Sequence, residues 1–363
     1  MRMKKIGIVS ALIFVVIIVG IFLISRKEKG NDEKLKVGFV SIGHLNDNSW
    51  SESHCEGMET CKKESDIEVI YKEAVPCNAD SVNVMEELID QGCKVIFCNS
   101  YEYGPWELEV AAIHPDIFFF HATGTETADN LSTYFGRIYQ VRYLSGIVAG
   151  LQTTTNEIGY VAAFNISEVN RGINAFTMGV RLVNPDATVH VEWCGSWTDD
   201  NMAAAATNKL IESHNIDVLT MHTDSLAPLE VAEKNKIWSI GYNTDNSSLF
   251  PDTYLTAPVW EWEYFYKQRI EECKYNQFTG KHYWEGMETG VVSLAPFTDN
   301  VKPEISAIVE NEKKRIETGT YDVFYGPIRD NKGNLRIKDG ESMTDDEMLN
   351  AFDWFVEGVK ICE

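Results

Sequence analysis

The sequence lacks the short motifs that mark most nucleotide-binding and catalytic sites. It contains no phosphate-binding loop, no Gly-x-Gly-x-x-Gly fingerprint and no His-x-x-x-His pair, so none of these routes to nucleotide or metal chemistry is indicated. A Gly-x-Ser-x-Gly elbow is also missing, and His222, Asp224 and Ser225 are too close in sequence to converge as base, orienter and nucleophile. We therefore expect no catalytic residues and no cofactor.

Positive charge is scarce beyond the N-terminus. The chain has 32 Lys and Arg residues against 55 Asp and Glu residues, and its first 30 residues hold 6 of the basic ones and 1 of the acidic ones. The remainder therefore carries a formal charge of −28. Such a surface repels phosphate backbones, and no basic stripe is visible, so nucleic acid is not expected as a partner.

The cysteines do not have the spacing of a metal or redox site. None of the 8 cysteines forms a Cys-x-x-Cys pair, which zinc ribbons and redox sites use. Several lie in apolar patterns, as Cys93 and Cys98 do on either side of "KVIF", where free cysteine behaves as a small buried hydrophobe. The sequence thus favours free thiols without a metal and leaves one or two disulfides open.

One long hydrophobic run stands near the N-terminus. Residues 6–25 include 20 uncharged residues in succession, and a helix of that length spans roughly 30 Å, the thickness of a bilayer core. No small-residue cleavage site and no cysteine for lipid attachment follow it, which favours a retained anchor over a cleaved signal. We expect residues 1–5 in the cytoplasm, 26–34 as a tether, and the rest outside the cell at the membrane.

Strand and helix patterns alternate twice along the rest of the chain. The predicted strands cover residues 35–41, 67–75, 94–100, 116–124, 132–138, 157–165, 188–196, 216–224 and 237–245. Continuous apolar strands separated by helices indicate parallel sheets covered on both faces. The predicted fold is α/β, with two doubly wound parallel-sheet lobes joined by a hinge after an N-terminal transmembrane helix.

The boundaries follow from where the pattern restarts. Lobe 1 is predicted over 35–138 plus about 256–295, because the chain is expected to return to the first half after Thr256. Lobe 2 is predicted over 139–255 plus about 296–363. Within the latter, residues 324–342 read as a strand pair across a turn, followed by a last helix near 344–360.

Aromatic and small polar residues collect at the predicted strand ends. Ser49 and Glu52 fit a capping box, which makes Trp50 the first residue of a helix at the carboxyl end of the first strand. Similar groups follow later strands, in "CNSYEYGPW", "CGSWTDD", "HTDS" and "GYNTDN". Because ligands of open α/β sheets bind at these ends, the composition suits a flat, neutral heterocycle. Sugar sites use similar residues and stay open as an alternative.

Several longer stretches carry a family resemblance. They are "NDNSW" (46–50), "FHATGTETADNLSTYFGRIYQVRYLSGIVAG" (120–150), "NRGINAFTMGVRLVNPDA" (170–187) and "HTDSLAPLEVAE" (222–233). From about 35 to about 325, the chain resembles the basic membrane protein (PnrA-like) family, and within it the branch associated with purine nucleobases. The resemblance implies the type I periplasmic-binding-protein fold and an extracellular receptor that delivers its ligand to an ABC permease and ATPase.

The resemblance also implies ligand contacts. Trp50 matches the aromatic residue that stacks on the purine, and the full set of expected ligand-binding residues is Asn48, Ser49, Trp50, Ser100, Tyr101, His222, Thr223, Asp224, Asn243, Asp245 and Trp260. Asp224 and Asp245 could instead be helix caps, and His222 could be structural.

Two departures from the family pattern bear on the ligand. Nucleoside binders of the family have an Asp where this chain has Asn243, and a Lys near Trp260. Losing both charges favours a bare base over a nucleoside. The family's lipidated cysteine is also absent, which leaves the hydrophobic run as the anchor. The expected function is a membrane-anchored receptor for a purine nucleobase such as adenine. A nucleoside binder, or a sensing ectodomain without transport, remains the alternative.

Overall fold

Continuous apolar strands build a first six-stranded sheet. The computed structural model describes residues 34–362. The strands of this sheet are β1 (Leu35–Val40), β2 (Ile67–Lys72), β3 (Val95–Cys98), β4 (Phe118–Ala122), β5 (Leu131–Gly136) and β12 (His282–Glu285). They are all parallel and lie in the order β12-β5-β4-β3-β1-β2. All four residues of β3 are buried, as expected for a strand that is covered on both faces.

A second sheet repeats the order of the first five strands and has its sixth strand at the opposite edge. Its strands are β6 (Glu157–Ala162), β7 (Thr188–Trp193), β8 (Val218–His222), β9 (Trp238–Ile240), β10 (Tyr254–Thr256) and β16 (Val359–Ile361). They are also parallel, in the order β10-β9-β8-β6-β7-β16. The prediction of an α/β fold with two parallel sheets is therefore confirmed. We call the first sheet with its helices lobe 1 and the second lobe 2.

Helices cover the sheets, and short strands connect them. The helices are α1 (Trp50–Glu64), α2 (Asp80–Asp90), α3 (Gly104–Ile113), α4 (Ile138–Gln152), α5 (Ser167–Val183), α6 (Asp200–Ser213), α7 (Ala227–Asn235), α8 (Trp262–Lys274), α9 (Pro303–Glu317) and α10 (Asp345–Asn350). Strands β11 (Pro258–Trp260) and β13 (Val292–Leu294) pair antiparallel on the connections. The chain passes between the sheets after β5, after β10 and after β12.

Helices α4 and α5 pack unusually closely because glycines face the contact. A β-carbon added at Gly146 would lie 2.0 Å from the carbonyl oxygen of Phe176, and one at Gly179 would lie 1.9 Å from that of Tyr143. These distances are far below van der Waals contact, so only glycine fits at either position.

We expect Gly146→Ala to lower the free energy of unfolding by about 3 kcal/mol, the upper end of the cost of overpacking. Urea denaturation measures this as a shift of the midpoint. Helix propensity alone would favour alanine by about 1 kcal/mol, so an unchanged or increased stability would contradict the close contact. Leu182→Ala, on the exposed side of α5, serves as the control and should change stability by about 0.5 kcal/mol or less.

The C-terminal segment differs in part from its prediction. The expected strand pair is present as β14 (Ile328–Arg329) and β15 (Leu335–Ile337). The helix predicted near 344–360 is wrong in extent, because α10 ends at Asn350 and the chain then adds β16 to the edge of the second sheet beside β7. This pairing depends on a strand far away in sequence, which a local pattern does not reveal.

The predicted membrane segment lies outside the described residues. The expected cytoplasmic residues 1–5, the anchor 6–25 and nearly all of the tether 26–34 precede residue 34, where the description begins. Within residues 34–362, no helix combines the length and apolar character needed to cross a bilayer.

Candidate ligand-binding site

In each lobe, loops at equivalent positions follow the central strands of the sheet. In both, the strand order reverses direction between the first strand and the third, at β1/β3 in lobe 1 and at β6/β8 in lobe 2. Ligands of such sheets bind at this switch point, beyond the carboxyl ends of the strands. The loops after these four strands are therefore where a site is expected.

The loop after β1 is fixed by an aspartate. The predicted capping box is wrong, since Ser49 makes no side-chain cap hydrogen bond, although α1 does begin at Trp50. Asp47 takes that role, because its carboxylate accepts hydrogen bonds from the amides of Ser51 and Glu52 at 3.0 and 2.9 Å. Local spacing does not distinguish between two capping residues two positions apart.

Asn243 connects predicted site residues from both lobes. It follows β9, is fully buried, and has φ = 71°, a conformation that Asn tolerates better than most residues. Its Nδ2 donates to Ser49 Oγ at 2.9 Å and to an Asp224 carboxylate oxygen at 2.7 Å, while its Oδ1 accepts from Trp260 Nε1 at 2.8 Å. The side-chain amide of Asn243 therefore forms hydrogen bonds with three other predicted site residues.

A second set of hydrogen bonds joins the same two loops. The carbonyl oxygen of Asn48, in lobe 1, accepts from Thr244 Oγ1 at 2.9 Å and from Asn246 Nδ2 at 3.1 Å, both in lobe 2. The loops after β1 and β9 are therefore in direct contact, and the lobes meet at this point.

Trp50 stands at the edge of an aromatic cluster. Its Nε1 donates to the carbonyl oxygen of Asn99 at 2.7 Å, at the end of β3. Its ring meets those of His54, Trp260 and Trp262 edge to face, with centroids 4.4, 5.6 and 5.9 Å away. These contacts hold the indole in a fixed orientation, and Trp50 remains partly exposed.

Asp224 is a carboxyl group in a poorly solvated position. Burial raises its pKa to about 7, and the charges of Asp47 and Glu168 add to this, while the hydrogen bond from Asn243 opposes it. The group is therefore close to half ionised near neutral pH. It can accept a hydrogen bond from a ligand N–H when ionised.

His222 has both ring nitrogens occupied by the protein. Nε2 lies 3.0 Å from a carboxylate oxygen of Glu168, and Nδ1 lies 3.2 Å from the Tyr160 hydroxyl. Burial and then the charge of Arg142 lower the pKa of His222 to about 4, although Glu168 opposes this. The imidazole is neutral at pH 7, so it donates to Glu168 and accepts from Tyr160.

A buried arginine beside this pair was not among the predicted site residues. Arg142, on α4, donates to the carbonyl oxygen of Met221 at 2.7 Å and stacks on the ring of Tyr242 at 3.9 Å. Its Nε and Nη2 are buried and have no hydrogen-bond partner among residues 34–362. The pattern of α4 gave no signal for this, because it shows only that the helix is largely buried.

Some predicted residues lie away from the Asn243 contacts. Tyr101 is 60% exposed. The loop that holds Ser100 and Tyr101 contacts His121, whose Nε2 lies 2.9 Å from the carbonyl oxygen of Ser100 and 3.1 Å from that of Tyr101. Asp245 is exposed and accepts from the amide of Ser247 at 2.9 Å, in a turn that no helix directly follows, so it is not the helix cap considered from the sequence. Thr223 is buried and donates to the carbonyl oxygen of Trp197.

Lobe 2 offers a second aromatic surface that the sequence did not single out as a ligand wall. Trp197 is held by hydrogen bonds from Thr223 Oγ1 at 2.5 Å and from the Asp224 amide at 2.7 Å to its carbonyl oxygen. Its ring lies 5.8 Å from that of Phe164, which is 38% exposed. Both residues follow strands of lobe 2 at the ends where a ligand would bind.

Comparison with known proteins identifies the family of the chain. A family model described as ABC transporter substrate-binding protein PnrA-like matches residues 34–321. The chain belongs to this family. This confirms the family resemblance that was found in the sequence. A PnrA-like protein is a substrate-binding protein rather than an enzyme. It holds a small molecule and works with the permease and ATPase of an ABC transporter. Members of the family are extracellular.

Individual relatives differ in the ligand that their names give. A purine-binding protein of Brucella abortus is 36% identical over 330 residues, which cover 90% of this chain and 93% of that protein. A Haloferax volcanii protein provisionally named an ABC transporter glucose-binding protein is 36% identical over 329 residues, covering 90% and 81%. A solute-binding protein structure from Conexibacter woesei superposes with a TM-score of 0.68 at 18% identity, covering 79% of this chain and 98% of that one.

Proposed function

We propose that this PnrA-like protein captures a purine nucleobase between its lobes and delivers it to an ABC importer. The observation that carries the proposal is the Asn243 junction, in which one buried amide links Ser49 of lobe 1 to Asp224 of lobe 2. A ligand that contacts this junction touches both lobes, so it stabilises the closed form by mass action.

The chemistry of the junction suits a neutral ring with polar edges. Asp224 is partly exposed and offers a carboxyl group, while Ser49 and Asn243 are fully buried and hold it in place through the Asn243 amide. A buried charge on the ligand would require a paired charge, whereas a purine base carries N–H donors and ring-nitrogen acceptors on an uncharged plane. The purine-binding relative of Brucella abortus supports the same ligand class.

Stacking surfaces are available from both lobes. Trp50 is partly exposed on the lobe 1 side, and Trp197 with Phe164 is partly exposed on the lobe 2 side. Planar rings gain about 1–3 kcal/mol from stacking on such side chains. In the proposal, Trp50 is one wall, the Trp197 surface is the other, and Asp224 accepts from a ring N–H.

The neutral amide favours a base over a nucleoside. Asn243 and Trp260 hydrogen bond to each other at 2.8 Å, at the two positions where nucleoside binders of the family have acidic and basic residues. These two side chains satisfy each other's hydrogen bond and provide no charges to hold a ribose.

The membrane anchor is a separate part of the proposal. Because the family's lipidated cysteine is absent, we retain residues 6–25 as the proposed anchor.

A thermal-shift screen on ligand-free protein tests the proposal. We expect adenine, guanine, hypoxanthine or xanthine to raise the melting temperature, because a ligand at 100 times its Kd stabilises the folded state by about 2.7 kcal/mol. The matched nucleosides should shift it less. If only nucleosides raise the melting temperature, the nucleobase assignment is wrong.

Glucose is included in the screen because of the Haloferax volcanii relative. Sugars also bind between aromatic rings and carboxylates, so the two classes share part of their chemistry. A shift with glucose and none with any purine would replace the purine proposal with a sugar-binding one.

A further inference from the structure

A cluster of metal-ligating side chains lies in lobe 2, away from the Asn243 junction. It consists of His190 on β7, His214 directly after α6, and Cys362 directly after β16. Each offers one ligand atom, and these atoms lie within 4.8 Å of one another. The Sγ of Cys362 is 3.5 Å from Nε2 of His214, and the two imidazoles stack with centroids 3.7 Å apart.

We propose that this cluster is a zinc site. Two imidazoles and a thiolate match the ligands that Zn²⁺ prefers, and magnesium or calcium would require oxygen ligands instead. Ligand atoms around tetrahedral zinc are roughly 3.5 Å apart, given bond lengths of about 2.0–2.3 Å. The cluster therefore needs an inward movement of about 1 Å and a rotation of at least one imidazole, because the two rings now stack with an interplanar angle of 21°. His214 and Cys362 are only partly buried.

Two carboxylates beside the cluster provide an independent reason to expect a cation. Glu157 contacts Nε2 of His190, which leaves the other ring nitrogen for a metal, and such carboxylate–histidine pairs orient metal ligands. Glu192 lies beside the Cys362 thiol, and Lys209 bonds its Oε1 at 2.9 Å. Its Oε2 is buried and has no hydrogen-bond partner among residues 34–362. A metal ion would add a positive charge beside this second oxygen, while Oε1 keeps its ion pair with Lys209.

The position of the cluster indicates what the metal would do. The family match ends at residue 321, and Cys362 belongs to the segment beyond it. The Cys362 amide already donates to the carbonyl oxygen of Val191 at 2.9 Å, which continues the pairing of β16 with β7. Zinc bound by Cys362, His190 and His214 would fasten this C-terminal strand to the sheet and to the end of α6.

Zinc titration of the purified full-length protein tests the proposal. The protein is stripped with EDTA under a thiol reductant and then titrated with Zn²⁺ against a chromophoric chelator. We expect stoichiometric binding and a rise of several degrees in melting temperature, whereas Mg²⁺ should do neither. Co²⁺ should give a sulfur-to-metal charge-transfer band. Absence of zinc binding by the unsubstituted protein would overturn the proposal.

Substitutions then locate the ion. Cys362→Ser and His214→Gln should each weaken zinc binding by more than the roughly 10- to 100-fold typical of outer-shell partners, and Cys362→Ser should abolish the cobalt band. Glu157→Gln should weaken zinc binding by a factor within that range of roughly 10- to 100-fold. Cys77→Ser, at another partly buried thiol, is the control and should bind normally. If Cys362→Ser and His214→Gln both titrate like the unsubstituted protein, the ion binds elsewhere and the assignment is wrong. Because His214 lies at a helix end, its variant remains informative even if Cys362→Ser loses β16.

Discussion

Asn243→Gly is expected to weaken ligand binding about 100-fold. The substitution removes the amide that Ser49, Asp224 and Trp260 share, and each buried group left without its partner costs about 1 kcal/mol or more. A loss of about 3 kcal/mol from the closed form corresponds to about two orders of magnitude in Kd. Glycine is chosen because the backbone at this position has φ = 71°, so no strain is added.

Calorimetric titration with the compound that gives the largest shift in the screen measures this effect. Asn276→Gly is a matched control, because Asn276 also has positive φ (54°) but is exposed at the end of α8. Its affinity and melting temperature should stay close to those of the original protein. An Asn243→Gly protein that binds as tightly as the control would show that the junction does not hold the lobes on the ligand.

Ligand affinity should fall by about 100-fold between pH 8 and pH 5. The raised pKa of Asp224, about 7, means that below this pH the carboxyl group must lose a proton before it can accept from a ligand N–H. Each pH unit below 7 then costs about tenfold in affinity. His222 does not contribute, because its pKa of about 4 keeps it neutral across this range. Burial would raise the pKa of Glu168, but His222, Arg171 and Arg142 hold it below its usual value, so it stays ionised.

The same group has the opposite effect on the ligand-free protein. Since its folded-state pKa is above the ordinary value of 3.8, its contribution to stability is present at low pH and is lost as the pH rises through about 7. Asp224→Asn should flatten both dependences. A Kd that stays constant from pH 5 to pH 8 would mean that Asp224 does not accept a hydrogen bond from the ligand.

The architecture could be predicted well from the sequence because the architecture depends on strand and helix patterns among residues that are close together in the chain. Runs such as "KVIF" and "IDVLTMHTD" are long enough to identify buried strands, and the alternation with helices then determines a parallel sheet. The same reasoning placed Trp50 at a strand end, since the carboxyl ends of parallel strands share one edge. These inferences require no knowledge of which residues meet across the fold.

Most of the parts that failed depend on contacts between distant residues. The pairing of β16 with β7 and the cluster of His190, His214 and Cys362 bring together groups that are far apart in sequence. The cap of α1 is a local contact, and it was missed because spacing alone did not distinguish Asp47 from Ser49. Within the candidate site, the sequence named Asn243 and Asp224 through the family resemblance. It did not show that one amide joins them to Ser49.

A crystal structure of the complex with the best purine from the screen tests the central claim most directly. We expect the ring to lie against the indole of Trp50, with a ring N–H within hydrogen-bond distance of the Asp224 carboxylate and both lobes in contact with the ligand. A ligand found elsewhere, or bound between the lobes without touching Trp50 and Asp224, would contradict the account.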